Sequence, residues 1–173
     1  MPDFKTIFQN VIGKHKNNPL WDSGDFNGIK TISNTKVGAV GQEFIESVCD
    51  ELKILFETPK NKKGKVTRSP WDIKISNIEF ELKTATEDTG GKFQFNHIRY
   101  HRNYHALLCL GVSPNNLFFN LWSKADVVTQ KAGNLVSMEK GANASYKLTK
   151  SKHELHPIEL FENTIKTFSE TFK

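Results

Sequence analysis

The chain contains 173 residues, with 24 Lys or Arg against 19 Asp or Glu, which gives a formal net charge of +5 when the histidines are neutral. This length fits one domain, because domains commonly contain about 100–200 residues, and we expect residues 1–173 to form it. A composition of 37% hydrophobic and 25% charged residues excludes wholesale disorder. The two cysteines, Cys49 and Cys109, are too few for a disulfide framework or a four-cysteine zinc site.

Membrane insertion and export are not expected from the sequence. The longest apolar run, Ala106–Val112, is far shorter than the roughly 18 residues of a membrane span. The first residues lack the apolar core of a signal peptide. These features predict a cytoplasmic protein, and the excess of positive charge hints at an acidic partner such as a nucleic acid.

The first third of the chain is predicted to be helical, with a polar loop at 14–36. Apolar residues recur at helical spacing in 3–13, which predicts a first helix. A second helix is expected from Gly38 or Gly41 to Phe56, with Pro59 ending it. Its predicted buried stripe consists of Phe44, Ile45, Val48, Cys49, Leu52 and Leu55.

The middle of the chain is predicted to be rich in β-strands. Apolar and polar residues alternate in 71–75 and 78–85 on either side of Ser76-Asn77, the pattern of a tight hairpin. The run 106–112 is nearly all apolar, as in a central strand covered on both faces, and 117–122 is expected to return as another strand.

The last third is predicted to begin with a polar, turn-rich segment, 123–150, that contains a short helix near 125–130. An amphipathic helix is expected over 158–172, with Phe161, Ile165, Phe168 and Phe172 on one line. The order of elements indicates an α/β (α+β) protein with a central mixed β-sheet flanked by helices.

The hairpin at 71–85 carries the strongest chemical signal. Counting outward from the turn places Lys74 opposite Glu79 and Asp72 opposite Glu81. Alternation then puts five charged side chains on one face: Asp72, Lys74, Glu79, Glu81 and Lys83. Two carboxylates opposed across a sheet repel each other, because their Cβ atoms are only about 4.5–5.5 Å apart.

A divalent cation between Asp72 and Glu81 would turn this repulsion into attraction. Mg²⁺ fits best, because it prefers oxygen ligands and needs only one or two carboxylates with water and substrate phosphate. Lys83 could then orient or deprotonate an attacking water, or neutralise charge on the phosphate. The plain alternative is an exposed face on which neighbouring charges neutralise one another, at about 0–1 kcal/mol per pair.

The residues Pro70-Trp-Asp72 and Glu81-Leu-Lys83 resemble the signature of the PD-(D/E)XK nuclease superfamily, with one residue inserted between Pro and Asp. The resemblance implies a restriction-endonuclease-like core and Mg²⁺-dependent hydrolysis of DNA phosphodiesters, with Mn²⁺ as a substitute. It assigns metal binding to Asp72 and Glu81 and the catalytic lysine role to Lys83. It also implies a further acidic residue on the preceding helix. Glu43 is the first candidate for that role, with Glu46 and Gln42 as alternatives.

A second block, 93–99 followed by 104–114, is similar to type II restriction endonucleases, in which a short helix after the catalytic strand leads into a buried strand. Together the two blocks cover roughly 36–125. The resemblance makes Gln94, Asn96 and Arg99 candidates for contact with the DNA backbone; the alternative is that these polar side chains simply face solvent.

Between the second helix and the hairpin, 60–68 carries five positive residues and no negative one. Lys62, Lys63, Lys65 and Arg68 could contact phosphates that flank the cut site, and such contacts position a protein without reading sequence. The polar segment 134–150 supplies amide, hydroxyl and ammonium groups of the kind that contact base edges. A solvated loop is the alternative for both segments.

A zinc site is a competing interpretation, because His97, His101 and His105 would align on a continuous helix. The sequence Tyr104–Val112 is predicted to be a strand, which would carry His105 away from the other two. No Walker loop, Gly-x-Gly-x-x-Gly or Gly-x-Ser-x-Gly sequence occurs, so we expect no nucleotide cofactor and no serine-hydrolase chemistry.

The sequence therefore favours a Mg²⁺-dependent type II restriction endonuclease that acts on double-stranded DNA as a homodimer. One catalytic site cuts one strand, and a two-fold symmetric protein matches a palindrome. The alternatives are a structure-specific or repair nuclease of the same superfamily and a DNA-binding module without catalysis.

Overall fold

A computed structural model describes residues 19–59 and 69–172. The predicted helix at 3–13 and the basic segment 60–68, with Lys62, Lys63, Lys65 and Arg68, lie outside the described residues. Three α-helices occur in the described part: α1 (Asn34–Glu51), α2 (Lys124–Val128) and α3 (Phe161–Glu170). None of the described helices is long and apolar enough to cross a membrane.

Nine strands complete the described part of the chain: β1 (Phe56–Glu57), β2 (Ile73–Ile75), β3 (Ile78–Thr86), β4 (Lys92–Ile98), β5 (Ala106–Val112), β6 (Leu117–Ser123), β7 (Leu135–Glu139), β8 (Ser145–Ser151) and β9 (His156–Pro157). They form a six-stranded sheet of order β1-β2-β3-β5-β6-β9 and a three-stranded sheet of order β4-β8-β7. In the larger sheet β3 and β5 are parallel and the other neighbours are antiparallel. The predicted mixed sheet flanked by helices is therefore present.

The hairpin between β2 and β3 has the predicted turn. Both central residues have positive φ, 49° for Ser76 and 67° for Asn77, as a two-residue type I′ turn requires. The turn sets Ile75 opposite Ile78 and Lys74 opposite Glu79, as predicted. The strand pairing ends at Ile73 and Phe80.

Helix α1 begins and ends earlier than predicted. It starts at Asn34 and stops at Glu51, well before Pro59. The end is a Schellman motif: Lys53 takes a φ of 56°, its N–H donates to Asp50 O, and the N–H of Ile54 donates to Cys49 O. The chain then turns into β1, which leaves Leu55, predicted to be buried, 90% exposed.

The central sheet is covered on both faces. One face packs against α1 and α3 through residues such as Phe80, Leu108, Ile45 and Phe161. The other face packs against the smaller sheet through Ala85, Leu107, Cys109, Phe93, Phe95 and Leu148. All seven residues of β5 are consequently buried, as expected for a central strand.

The smaller sheet is the largest departure from the predicted organisation. In the segment 93–99, expected to form a short helix, residues 93–98 belong to strand β4, and the polar segment 123–150 contains β7 and most of β8. Along β4 the buried Phe93 and Phe95 alternate with exposed polar residues, so the sequence has the period of a strand. The prediction of a short helix near 125–130 is confirmed by α2.

Candidate functional site

Asp72 lies where the pairing of β2 with β3 ends. Its backbone N–H donates to Phe80 O at 2.8 Å, and its carboxylate Oδ2 accepts from the N–H of Leu82 at 2.8 Å. Asp72 is therefore not paired directly with Glu81 in the strand register, which corrects the predicted opposition. If β2 continued, one of its backbone carbonyls would accept the hydrogen bond from the N–H of Leu82. The Asp72 carboxylate accepts that hydrogen bond instead.

The environment of Asp72 favours its protonated form. Burial raises the pKa of this carboxyl most, and the charge of Glu81 raises it further. The hydrogen bond from Leu82 and the positive charges of Lys83 and Arg102 oppose that change. The charges of Glu81 and Lys83 both act on the Asp72 carboxyl, so the three side chains form one electrostatic cluster.

Glu81 is a buried carboxylate held by two neighbours. Its side chain is 3% exposed, Oε1 lies 2.8 Å from Lys83 Nζ, and Oε2 accepts from the backbone N–H of Arg99 at 3.4 Å. The Tyr104 ring is buried nearby, and burial together with the charge of Glu81 raises the pKa of its hydroxyl. Since a buried charge is costly unless it is paired, the contact with Lys83 offsets the cost of burying the Glu81 carboxylate.

Helix α1 presents Gln42, and not Glu43, to this cluster. Gln42 Nε2 donates to the backbone carbonyl of Asp72 at 3.3 Å and to Glu46 Oε1 at 3.0 Å. Glu43 is exposed, and its backbone carbonyl accepts from Ser47 Oγ. The structure therefore brings the two alternative residues of α1 towards Asp72 and places the first candidate, Glu43, on the solvent side.

An open cleft of about 660 Å³ adjoins Lys83. One wall is the first turn of α1, with Asn34 and Thr35, and the opposite wall is β4, with Gln94, Asn96 and His97. The side chain of Ser33 makes no capping hydrogen bond to α1, and the N–H of Lys36 donates to Ser33 O at 2.8 Å, so the N–H groups of Asn34 and Thr35 are the ones that can meet an anion. The cleft thus combines an ammonium group, amide side chains and a helix N-terminus, a suitable set for phosphate.

Two of the three proposed DNA-contact residues on β4 share this cleft with Lys83. Gln94 and Asn96 line it, whereas the guanidinium of Arg99 is directed to Glu139, with Nη2 3.4 Å from Oε2. The backbone of Arg99 nevertheless holds Glu81, as described above. Arg99 is therefore placed between the carboxylate site and the smaller sheet and not in the cleft itself.

Two residues of the site, Arg102 and Tyr104, are not predicted by the sequence, whereas Gln42 is one of its alternatives for the helix residue. Arg102 and Tyr104 lie in the connection before β5, and the parallel pairing of β5 with β3, which begins at Phe80 and Ala106, brings that connection next to Glu81. No local pattern in the sequence signals this neighbourhood, because it depends on the crossover between two strands.

The donor set fits Mg²⁺ better than zinc. Within residues 19–59 and 69–172 no group of three or more His, Cys, Asp or Glu side chains is placed to hold a metal ion. Asp72 and Glu81 are two hard oxygen donors beside Lys83, the member of the cluster that lines the cleft. Mg²⁺ commonly uses one or two carboxylates with water and phosphate. Zinc sites use three or four protein ligands.

The three histidines of the competing interpretation do not share a helical face. His97 is in β4, with Nδ1 3.7 Å from Glu139 Oε2, and His105 Nδ1 accepts from the backbone N–H of Glu79 at 3.1 Å. His101 lies in the exposed turn between them.

Comparison with known proteins adds no assignment: no protein-family model, curated protein or solved structure matches this chain.

Proposed function

We propose that this protein is a Mg²⁺-dependent endonuclease that hydrolyses phosphodiester bonds of double-stranded DNA, with the site specificity of a type II restriction enzyme. The observation that carries the proposal is the cluster of Asp72, Glu81 and Lys83 at the edge of a polar cleft. A carboxylate pair, a lysine in contact with one carboxylate, and an open polar cleft beside that lysine are a suitable set for hydrolysis of a phosphodiester.

The roles of the residues follow from their positions. Asp72 and Glu81 would hold Mg²⁺, which when bound supplies a Lewis acid and lowers the pKa of coordinated water. The ammonium of Lys83 lies beside these carboxylates and faces the cleft, where it orients the attacking water or neutralises charge on the phosphate. Water would attack phosphorus in line and lose a proton to solvent, while the P–O bond on the opposite side breaks and the departing ester oxygen takes up a proton from solvent.

The topology supports a restriction-endonuclease-like core. A helix, α1, is followed by the antiparallel strands β1, β2 and β3 and then by β5, which is parallel to β3. In this arrangement Asp72 immediately precedes β2, and the Glu81-Leu-Lys83 sequence lies inside β3. The homodimer remains part of the proposal, since one such site cuts only one strand.

The test is cleavage of supercoiled plasmid in Mg²⁺ or Mn²⁺, followed by sequencing of the cut ends. The wild type should give defined ends, and Lys83→Ala, Asp72→Asn and Glu81→Gln should each reduce the rate by about 10²-fold or more. Lys74→Ala is the matched control, because Lys74 lies on the same hairpin but pairs with Glu57 Oε1 at 3.3 Å. Its rate should equal that of the wild type.

The outcomes separate the alternatives. Plasmid left intact in both metals, with duplex still bound, would indicate a DNA-binding module without catalysis. Cleavage only of branched DNA would indicate a structure-specific nuclease. Normal cleavage by Lys83→Ala would refute the mechanism.

A further inference from the structure

The smaller sheet has an exposed face that continues the wall of the cleft. Alternation along β4 and β8 turns Phe93, Phe95 and Leu148 inward, and the opposite side chains outward. We call this exposed side the outer sheet face; its side chains are Lys92, Gln94, Asn96, Lys147, Thr149 and Val136. Strand pairing sets Gln94 beside Thr149 and Lys147 beside Val136, so the face crosses all three strands.

A β-bulge enriches this face in polar groups next to the cleft. Between the pairs Phe95–Leu148 and Ile98–Tyr146, β4 has two residues, Asn96 and His97, where β8 has one, Lys147. His97 takes a φ of 59°, an unusual conformation for a residue other than glycine, and both bulge residues are exposed. Bulges of this kind redirect side chains and are over-represented next to active sites.

The amide of Gln94 is held in place before any ligand arrives. Its Nε2 donates to Asp88 Oδ2 at 3.1 Å. Asp88 is itself fixed, because its Oδ1 accepts from the backbone N–H groups of Gly90 and Lys92, each at 2.9 Å. An amide oriented in this way presents its remaining donor and acceptor with little loss of side-chain entropy.

The charge and size of the outer sheet face suit duplex DNA. Strands β4, β7 and β8 contain one acidic residue, Glu139, which is already engaged by Arg99 and by Ser145 Oγ at 2.7 Å. Asp88, just before β4, places one carboxylate against Gln94, and Lys92 and Lys147 outnumber it, so the face keeps a positive charge. Three strands spaced about 4.8 Å apart span about 10 Å, which is close to the roughly 12 Å width of the major groove.

We propose that the outer sheet face lies in the major groove beside the phosphate that is cut, and that Gln94, Asn96 and Lys147 contact base edges. This inference rests on the proposed nuclease function, because the same β4 residues line the cleft that holds Lys83. Amide side chains pair with the N6 and N7 positions of adenine, and lysine pairs with the O6 and N7 positions of guanine. A face that bears both groups is therefore suited to distinguishing base pairs.

The test compares wild type with Gln94→Ala, Asn96→Ala and Lys147→Ala on a duplex pool with randomised sequence. Cut ends are sequenced in Mg²⁺, and bound duplexes are sequenced in Ca²⁺. Each variant should lose about 10- to 100-fold discrimination at one or two base positions while it still cuts DNA. Lys166→Ala, an exposed lysine on α3, is the control and should keep the wild-type preference.

Two results would overturn the inference in distinguishable ways. If the wild type selects a sequence and all three variants select the same one with equal discrimination, the outer sheet face does not contact bases, and the nuclease proposal stands. If the wild type neither cuts nor enriches any duplex, both proposals fail together.

Discussion

The carboxylate of Asp72 accepts a hydrogen bond, 2.8 Å long, from the backbone N–H of Leu82, the residue between Glu81 and Lys83. Through this hydrogen bond the side chain of the residue before β2 contacts the backbone in the middle of β3. The bond also explains how two carboxylates that are not direct strand partners belong to one cluster. Because burial penalises the ionised form, holding Asp72 in this place has a cost to stability.

Replacing Asp72 by Asn should stabilise the protein at neutral pH. The pKa of Asp72 is raised in the folded state, so the folded chain holds this proton more tightly than the unfolded chain does. That stabilising contribution is present at low pH and is lost as the pH rises through the folded-state pKa. Asn does not ionise, so the variant does not lose this stability as the pH rises. The side-chain oxygen of Asn can still accept a hydrogen bond from the backbone N–H of Leu82.

The measurement is Tm between pH 4 and pH 8 in the absence of divalent cations. The advantage of Asp72→Asn over wild type should grow as the pH rises. Asp22→Asn, an exposed position, should follow the wild type throughout. An advantage that is constant with pH would show that ionisation of Asp72 is not the cause.

Magnesium should reverse the order of stability. A ligand that binds only the folded state at about 100 times its Kd stabilises it by about 2.7 kcal/mol, which corresponds to a Tm increase of roughly 5–10 °C for a protein of this size. We expect this increase for the wild type and its absence in Asp72→Asn, measured in Mg²⁺ against EDTA. Equal increases in both proteins would place the metal elsewhere.

The helix residue that supports the site is expected to be Gln42 and not Glu43. Gln42 contacts the backbone of Asp72, whereas Glu43 is exposed on α1. We expect Gln42→Ala to reduce cleavage by about 5-fold, which corresponds to the loss of one hydrogen bond of about 1 kcal/mol, and to raise the Mg²⁺ concentration needed for half-maximal rate. Glu43→Ala should leave both quantities unchanged, and the opposite pattern would restore Glu43 to the site.

Two glycines of α1 should respond in opposite ways to the same substitution. A Cβ on Gly41 would collide with Thr84 Oγ1 and lie 2.9 Å from Thr84 Cβ, whereas a Cβ on Gly38 would meet nothing within 4 Å. We expect Gly41→Ala to destabilise the protein by about 1–3 kcal/mol through overpacking. Gly38→Ala should stabilise it by up to about 1 kcal/mol, because alanine favours helices.

Chemical denaturation measures both free energies of unfolding directly. If Gly41→Ala were neutral, the close approach of α1 to β3 at Thr84 would not constrain the helix. The cleavage rate of Gly41→Ala, compared with that of the wild type at a temperature at which both proteins are folded, shows whether a displacement of α1, and with it of Gln42, affects the site at Asp72.

The hairpin could be predicted because its determinants are local. Period-two alternation in 71–85 and a Ser76-Asn77 turn that accepts positive φ fix the register within a few residues. The buried strand β5 could be predicted for a similar reason, since an unbroken apolar run has few alternatives. The end of α1 could not, because the helix stops at a left-handed Lys53 and not at the proline.

Some relations within the candidate site are likewise determined by local sequence, and others only by tertiary contacts. The sequence by itself determined that Glu81 and Lys83 would share one face of β3, because side-chain direction in a strand follows from residue count alone. The place of Asp72 beside them was decided by its hydrogen bond from Leu82, since the pairing of β2 with β3 has already ended at Ile73. Only the tertiary structure decided that Gln42 would be their helix neighbour, that Tyr104 and Arg102 would lie next to the carboxylates, and that β4 would join β8. These relations depend on how α1 docks on the sheet, on the parallel crossover from β3 to β5 and on pairing between strands about 50 residues apart in the chain. Local patterns carry no record of such distant contacts, since they are selected by burial in the folded molecule.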